Sequence, residues 1–245
     1  MKLHRFLRLL FAPISALLWP KRVTGRRNLP KPGTPFVLVV SPHLSEFESF
    51  LLSVTLWRYN THFYAKAEYW QKHRRLGKLL TALGQIPAYR KGREMLKTIQ
   101  GGVEVLVNGD VLVVYAQGTR SPKEHDANGR RIVHAYRGHD GAVTTAQRAS
   151  KVLKHEVSVI PVGIRGMEKL NPSGKGLLVR PRGGLWIAIG RRHSPFGQHS
   201  KIVTFIEDHL HIPHGTAQTV TDDVVREAAA LVDVHYLHET LPLPD

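Results

Sequence analysis

This sequence predicts an α/β fold: a mainly parallel sheet flanked by helices, preceded by an amphipathic helix suited to a membrane interface. Three observations predict it. From residue 35 onward, apolar runs of strand length alternate with segments whose apolar residues recur at steps of three and four, the pattern of parallel strands joined by crossover helices. The first 22 residues carry one apolar stripe of helical period. The 245 residues, 42% of them hydrophobic, are enough for one sizeable core, and no long linker, low-complexity stretch or internal repeat divides them. The expected organisation is a membrane-association segment over 1–21 and a single α/β domain over 22–245.

In MKLHRFLRLLFAPISALLWPKR, the stripe comprises Leu3, Phe6, Leu7, Leu10, Ile14, Leu17 and Leu18. Lys2, Arg5 and Arg8 lie off it, and Trp19, Lys21 and Arg22 close the segment. Its uninterrupted apolar stretch falls short of the roughly 20 residues that span a bilayer. Pro13 is expected to kink the helix or force a break. The leading reading is an interfacial helix with its basic side toward anionic lipid. Packing on the protein's own core competes with it, as does a signal peptide, although no small-x-small cleavage site follows the apolar run.

FVLVV (36–40) reads as a buried strand, and Phe47, Phe50, Leu51 and Val54 then share one helical face. Residues 61–66 read as a strand, 72–84 as a short basic helix ending at Gly84, and 86–89 as a short strand. Met95, Leu96, Ile99, Val103 and Leu106 make a helix that Asn108-Gly109 stops. VLVVYA (111–116) is the next buried strand, followed by a polar loop from 117 to about 136 and a helix to about 150. Strands at 157–164 and 185–190 follow, and a helix from about 221 to 239 closes the chain.

Lys and Arg number 35 against 19 acidic residues, a net charge of +16. That excess suits nucleic acid, an anionic membrane surface or a phosphorylated substrate, and its scatter along the chain does not choose among them. With no cysteine, disulfides and a Cys nucleophile are excluded, and a reducing compartment fits.

In a parallel sheet the chemistry sits in loops at the carboxyl ends of strands. The loop after the first buried strand is Ser41-Pro42-His43-Leu44-Ser45-Glu46-Phe47-Glu48. Ser45-x-x-Glu48 is a capping box, so Glu48 can serve simply to start a helix. Capping would also hold its carboxylate near His43, where it could fix the imidazole tautomer and stabilise the imidazolium, as a general base requires. Local sequence leaves both jobs open. Later loops add cations: Lys66 ends one strand, Arg90 and Lys91 follow another, and Gln117-Gly118-Thr119-Arg120 leaves VLVVYA through a glycine suited to a tight turn. Basic residues at three strand ends suggest an anion pocket.

GRRNLP (25–30), PHLSEFE (42–48), FYAKAEYW (63–70), GQIPAYRKG (84–92), YAQGTRSP (115–122) and VIPVGIRG (159–166) together resemble the glycerophosphate and lysophosphatidic acid acyltransferase family. The resemblance covers roughly residues 22 to 190 in family order, and no single block is as specific as the set. It implies a membrane-associated O-acyltransferase that moves a fatty acyl group from acyl-CoA or acyl carrier protein to a lysophospholipid, 1-acylglycerol-3-phosphate above all. It also implies a peripheral location on the cytoplasmic face and no cofactor beyond the thioester co-substrate. In this HX4E motif His43 takes the catalytic base's place and Glu48 its acidic partner's. Lys66, Arg90 and Arg120 match phosphate-holding positions, and Gln117, Gly118 and Thr119 match the block that shapes the acceptor pocket and oxyanion site. No acyl-enzyme is implied, in keeping with the lack of Cys and of a G-x-S-x-G elbow.

Three departures bear on acceptor identity. Pro42 stands where the family usually has Asn, Glu48 where Asp is usual, and Gln117 where the block usually opens with Glu. They motivate an alternative, a catalytically weak acyltransferase-like protein that binds lipid. A nucleic-acid binder finds no module or aromatic–basic platform in its support. Asp208, His209, His211 and His214 have ligand-type spacing, but Pro213 interrupts them and no second cluster pairs with them, so no metal site is expected. His235 and His238 are expected in the last helix, with His235 on its apolar face.

Overall fold

The computed structural model describes residues 3–72, 74–90, 92–122, 124–128, 131–171, 184–196 and 216–240. It opens with α1 (Leu3–Leu18), β1 (Lys21–Thr24), β2 (Phe36–Ser41), α2 (Phe47–Thr55) and β3 (Thr61–Lys66). Next come α3 (Glu68–Lys72), α4 (Arg74–Ala82), β4 (Gln85–Ala88), α5 (Met95–Val107) and β5 (Val111–Tyr115). Three short strands follow, β6 (Glu124–His125), β7 (Arg131–Ile132) and β8 (His134–Arg137), and then α6 (Gly141–Leu153) and β9 (Ser158–Arg165). The remainder is α7 (Met167–Leu170), β10 (Leu185–Ile189), α8 (Thr216–Ala230) and β11 (His235–Thr240).

Seven strands form the main sheet in the order β1-β10-β9-β2-β5-β3-β4. From β9 to β4 every neighbouring pair is parallel, whereas β10 runs antiparallel to β9 and carries β1 parallel to itself. The sheet is thus mixed but mainly parallel, and helices flank it as expected. Every residue of β2 is buried. Phe36, Leu38 and Val40 pack with Leu51 and Leu52 of α2 on one face. Val37 and Val39 pack with Leu106 of α5, Val143 and Ala146 of α6, and Val224 of α8 on the other. Coverage on both faces is why this strand is continuously apolar rather than alternating.

Several expectations are corrected. Helix α1 runs through Pro13 without a break; the proline lies on the helix's exposed side, where a missing N–H costs least. Its buried side is polar: His4, Arg8 and Ser15 face inward, while Phe6, Leu9, Leu10, Phe11, Ile14 and Leu17 are exposed. Arg8 therefore does not lie on a lipid-facing basic side. Its guanidinium donates to the Tyr59 carbonyl, to Thr61 Oγ1 and to Asn60 Oδ1, which answers the charge that burial would otherwise strand.

The basic helix expected over 72–84 is α4, with Lys72 ending α3 before it, whereas the polar loop after β5 contains three short strands. The last helix ends at Ala230, because Asp233 turns left-handed (φ 56°) and the chain then pairs with β8 as β11. His235 and His238 are strand residues. The run Asp208–His214 lies outside the described residues. Among the described residues no helix is long and apolar enough to cross a membrane.

Candidate active site

Because β2, β5, β3 and β4 are mutually parallel, the segments carrying His43, Gln117–Arg120, Lys66 and Arg90 all leave one edge of the sheet. On that edge the two readings of Glu48 prove compatible. Its Oε1 accepts from the backbone N–H of Leu44 (2.9 Å) and of Ser45 (3.1 Å), completing the cap. Ser45 Oγ accepts from the Phe47 N–H at 3.2 Å. The other carboxylate oxygen, Oε2, lies 2.7 Å from His43 Nδ1. Glu48 is 1% exposed. An ionised carboxylate can only accept, so the neutral imidazole keeps its hydrogen on Nδ1 and its lone pair on Nε2.

The end of β5 and the loop after it hold the histidine from two directions. The Tyr115 ring stacks on the imidazole with centroids 3.8 Å apart and planes 22° from parallel. The Tyr115 hydroxyl lies 3.2 Å from Ser49 Oγ. Burial first, and the Glu48 carboxylate second, push this phenol well above its ordinary range, so it stays neutral beside the pair. Gln117 is completely buried. Its Oε1 accepts from the His43 N–H (2.9 Å) and from Ser41 Oγ (3.4 Å), and its Nε2 donates to Ser121 Oγ (3.1 Å). The Ser121 N–H in turn donates to the His43 carbonyl at 2.7 Å. Gly118 takes φ +70°, and its N–H donates to the Tyr115 carbonyl, closing the turn.

Of the cations, Lys66 is exposed and Arg90 partly buried. Arg120 Nη1 pairs with Glu46 Oε1 at 3.1 Å. Sequence reasoning missed three residues. Tyr115 carried only the signal of an aromatic side chain at a strand end. Ser121 carried none. His139 donates its backbone N–H to the Ala116 carbonyl, and its Nε2 is buried without a hydrogen-bond partner. Burial lowers the His139 pKa, Asp140 opposes that, and Arg90 adds to it. Among the described residues no group of three or more side chains could hold a metal.

A histidine held by a buried carboxylate, at the carboxyl edge of a sheet covered on both faces, defines an α/β enzyme built for general-base chemistry. Comparison supplies the family. A family model described as Acyltransferase matches residues 21–165, more than half of the chain, and the chain belongs to that family of acyltransferases. The crystal structure of the 1-acyl-sn-glycerophosphate (LPA) acyltransferase, PlsC, from Thermotoga maritima is similar in fold, with a TM-score of 0.60 and 19% sequence identity. The alignment covers 94% of this chain and 79% of that one. No match is found among curated proteins.

Proposed function

We propose that this acyltransferase works at a membrane surface and esterifies a lysophospholipid, 1-acylglycerol-3-phosphate, with a fatty acyl group from acyl-CoA or acyl carrier protein. One observation carries the reading: His43 Nδ1 is taken up by the buried Glu48 carboxylate at 2.7 Å, which leaves Nε2 as the basic nitrogen. The acceptor hydroxyl gives its proton to Nε2 as its oxygen attacks the thioester carbonyl. Collapse of the tetrahedral intermediate breaks the C–S bond, and the departing sulfur takes the proton back from the imidazolium. Diacyl product and free thiol result. Proton transfer to the positioned His43 contributes about 10²- to 10⁴-fold, and Glu48 stabilises the charge that develops on the ring.

Lys66, Arg90 and Arg120 hold the acceptor phosphate, and binding energy spent there fixes the hydroxyl at the base. Arg120 exchanges Glu46 for the phosphate. Gln117 braces the base through its backbone, with Gly118 and Thr119 shaping the pocket floor. The apolar residues that α1 exposes, from Phe6 to Leu17, seat the enzyme as a peripheral protein in an anionic surface on the cytoplasmic face. Exposed Leu76 and Leu79 of α4, among Arg74, Arg75 and Lys78, extend that contact.

The test is product formation from lysophosphatidate with long-chain acyl-CoA or acyl carrier protein. Wild type is expected to form diacyl product and His43→Ala none. Arg120→Ala is expected to raise KM for the phosphorylated acceptor about tenfold with kcat nearly kept, as loss of one charge-assisted contact predicts. Undiminished turnover in His43→Ala would sink the mechanism. Vesicle binding without turnover on any donor would leave the lipid-binding alternative.

A further inference from the structure

The acceptor-side cations lie on one flank of His43, toward β5, β3 and β4. The other flank holds a second cationic feature that the acceptor does not use. Arg22 of β1, Trp186 of β10 and Arg165 of β9 are register neighbours across three strands, so their side chains share one face of the sheet. They line a cleft of about 570 Å³ together with Lys21, Lys169 and Glu168, a volume within the range of small-molecule sites. Lys21 turns its amine away to Ser15 Oγ of α1, so three cationic side chains, Arg22, Arg165 and Lys169, face Glu168 across the cleft, and Arg165 also pairs with Asp233 at 3.5 Å. Glu168 is already committed, since its Oε2 accepts from the Gly166 N–H at 2.9 Å.

The cleft is built as well as charged. Trp186 Nε1 donates to Thr24 Oγ1 (3.2 Å), which sets the plane of the indole. The Arg22 guanidinium lies over that ring, 5.8 Å from its centroid. Arg165 Nη1 donates to the Val232 carbonyl at 3.0 Å and is braced there. The cleft also opens on the catalytic edge: Ser41 of β2 pairs with Gly163 of β9, two residues before Arg165. Strand spacing puts β10 and β1 about 10 and 14 Å from β2 along that edge.

We propose that this cleft binds the nucleotide end of a CoA donor, its adenine on Trp186 and its diphosphate and 3′-phosphate on Arg22, Arg165 and Lys169. An indole with a guanidinium at its face suits a purine ring, and the cations suit the phosphates. The pantetheine arm then runs along the edge to bring the thioester to His43. A carrier protein bears the same arm without a nucleotide and would leave the indole unused, so the cleft selects CoA. This inference rests on the acyltransferase mechanism proposed above and deepens it.

Adenosine 3′,5′-bisphosphate, titrated calorimetrically, tests the cleft without any need for turnover. We expect it to bind wild type and to bind Arg22→Ala/Lys169→Ala at least about tenfold more weakly, as loss of two charge-assisted contacts predicts. In steady-state assays the same pair should raise KM for acyl-CoA to a similar extent and leave KM for lysophosphatidate unchanged. Trp186→Phe, which keeps an aromatic face, should bind better than Trp186→Leu. Lys66→Ala, which removes a charge from the opposite flank, should shift the acceptor KM instead. Unchanged bisphosphate affinity and unchanged acyl-CoA KM in the double variant overturn the cleft, whatever the turnover. Transfer from carrier protein alone, with no bisphosphate binding, overturns it too and spares the acyl-transfer mechanism. Bisphosphate binding that depends on Arg22 and Lys169 in a protein that acylates nothing supports the cleft and counts against the acceptor chemistry.

Discussion

Replacing Glu48 by glutamine separates its two jobs. The amide can keep its oxygen where Oε1 accepts from Leu44 and Ser45, so the helix cap survives. Its NH2 group then takes the place of Oε2, 2.7 Å from His43 Nδ1 in the wild type. A donor there demands a lone pair on Nδ1, the hydrogen moves to Nε2, and the base is lost without loss of shape. The expected fall in kcat is about 10³-fold, or about 4 kcal/mol of transition-state stabilisation. The stability cost is only about 1 kcal/mol, because the two cap bonds are weakened rather than removed. Glu48→Ala behaves differently. It leaves two buried N–H groups without an acceptor and should cost about 3 kcal/mol in stability on top of the activity. The measurements are acyl transfer and urea unfolding on both variants. Glutamine activity within threefold of wild type would refute the tautomer argument. Equal destabilisation by glutamine and alanine would refute the division of labour between the two oxygens.

Three further outcomes are expected. Gln117→Leu, similar in volume, strips the His43 N–H of its acceptor and should lower stability by about 2 kcal/mol in chemical denaturation, with activity falling alongside. Burial first, and Arg26 second, lower the Lys21 pKa from 10.5 to about 8. Between pH 8 and 10.5 the unfolded chain therefore holds more protons than the native one, so stability rises with pH there. Wild type should gain about 2 kcal/mol relative to Lys21→Met across that window, a figure reduced for the partial exposure of the amine. Arg8→Ala removes the group that joins α1 to Tyr59, Asn60 and Thr61. It should lower stability by about 2–3 kcal/mol and hasten proteolytic cleavage between α1 and β1.

The parts of the molecule that a local pattern encodes were legible in the sequence. FVLVV reads as a buried strand from its composition, and Ser45-x-x-Glu48 marks the start of α2 and brings the Glu48 carboxylate within reach of His43. What long-range pairing decides was not. The role of Gln117 depends on an N–H 74 residues away, and the Tyr115–His43 stack depends on β2 and β5 being neighbours. The stripe in α1 correctly marked a face, but periodicity says nothing about which face meets the domain. Arg8 turns inward because the Tyr59 carbonyl, Asn60 and Thr61 await it there. The expected last helix runs past the observed one because Val232 and His235 keep a helical step, while the pairing of β11 with β8 that claims His235 leaves no trace nearby.

His43 is gripped on both sides of its own Cα by the loop that follows β5, its N–H by Gln117 and its carbonyl by Ser121. The two loops are therefore a single transplantable part. An engineer who wished to change acceptor choice by grafting a foreign 117–121 segment would have to carry 41–48 with it. A graft of either half alone would displace the base before any new substrate arrived.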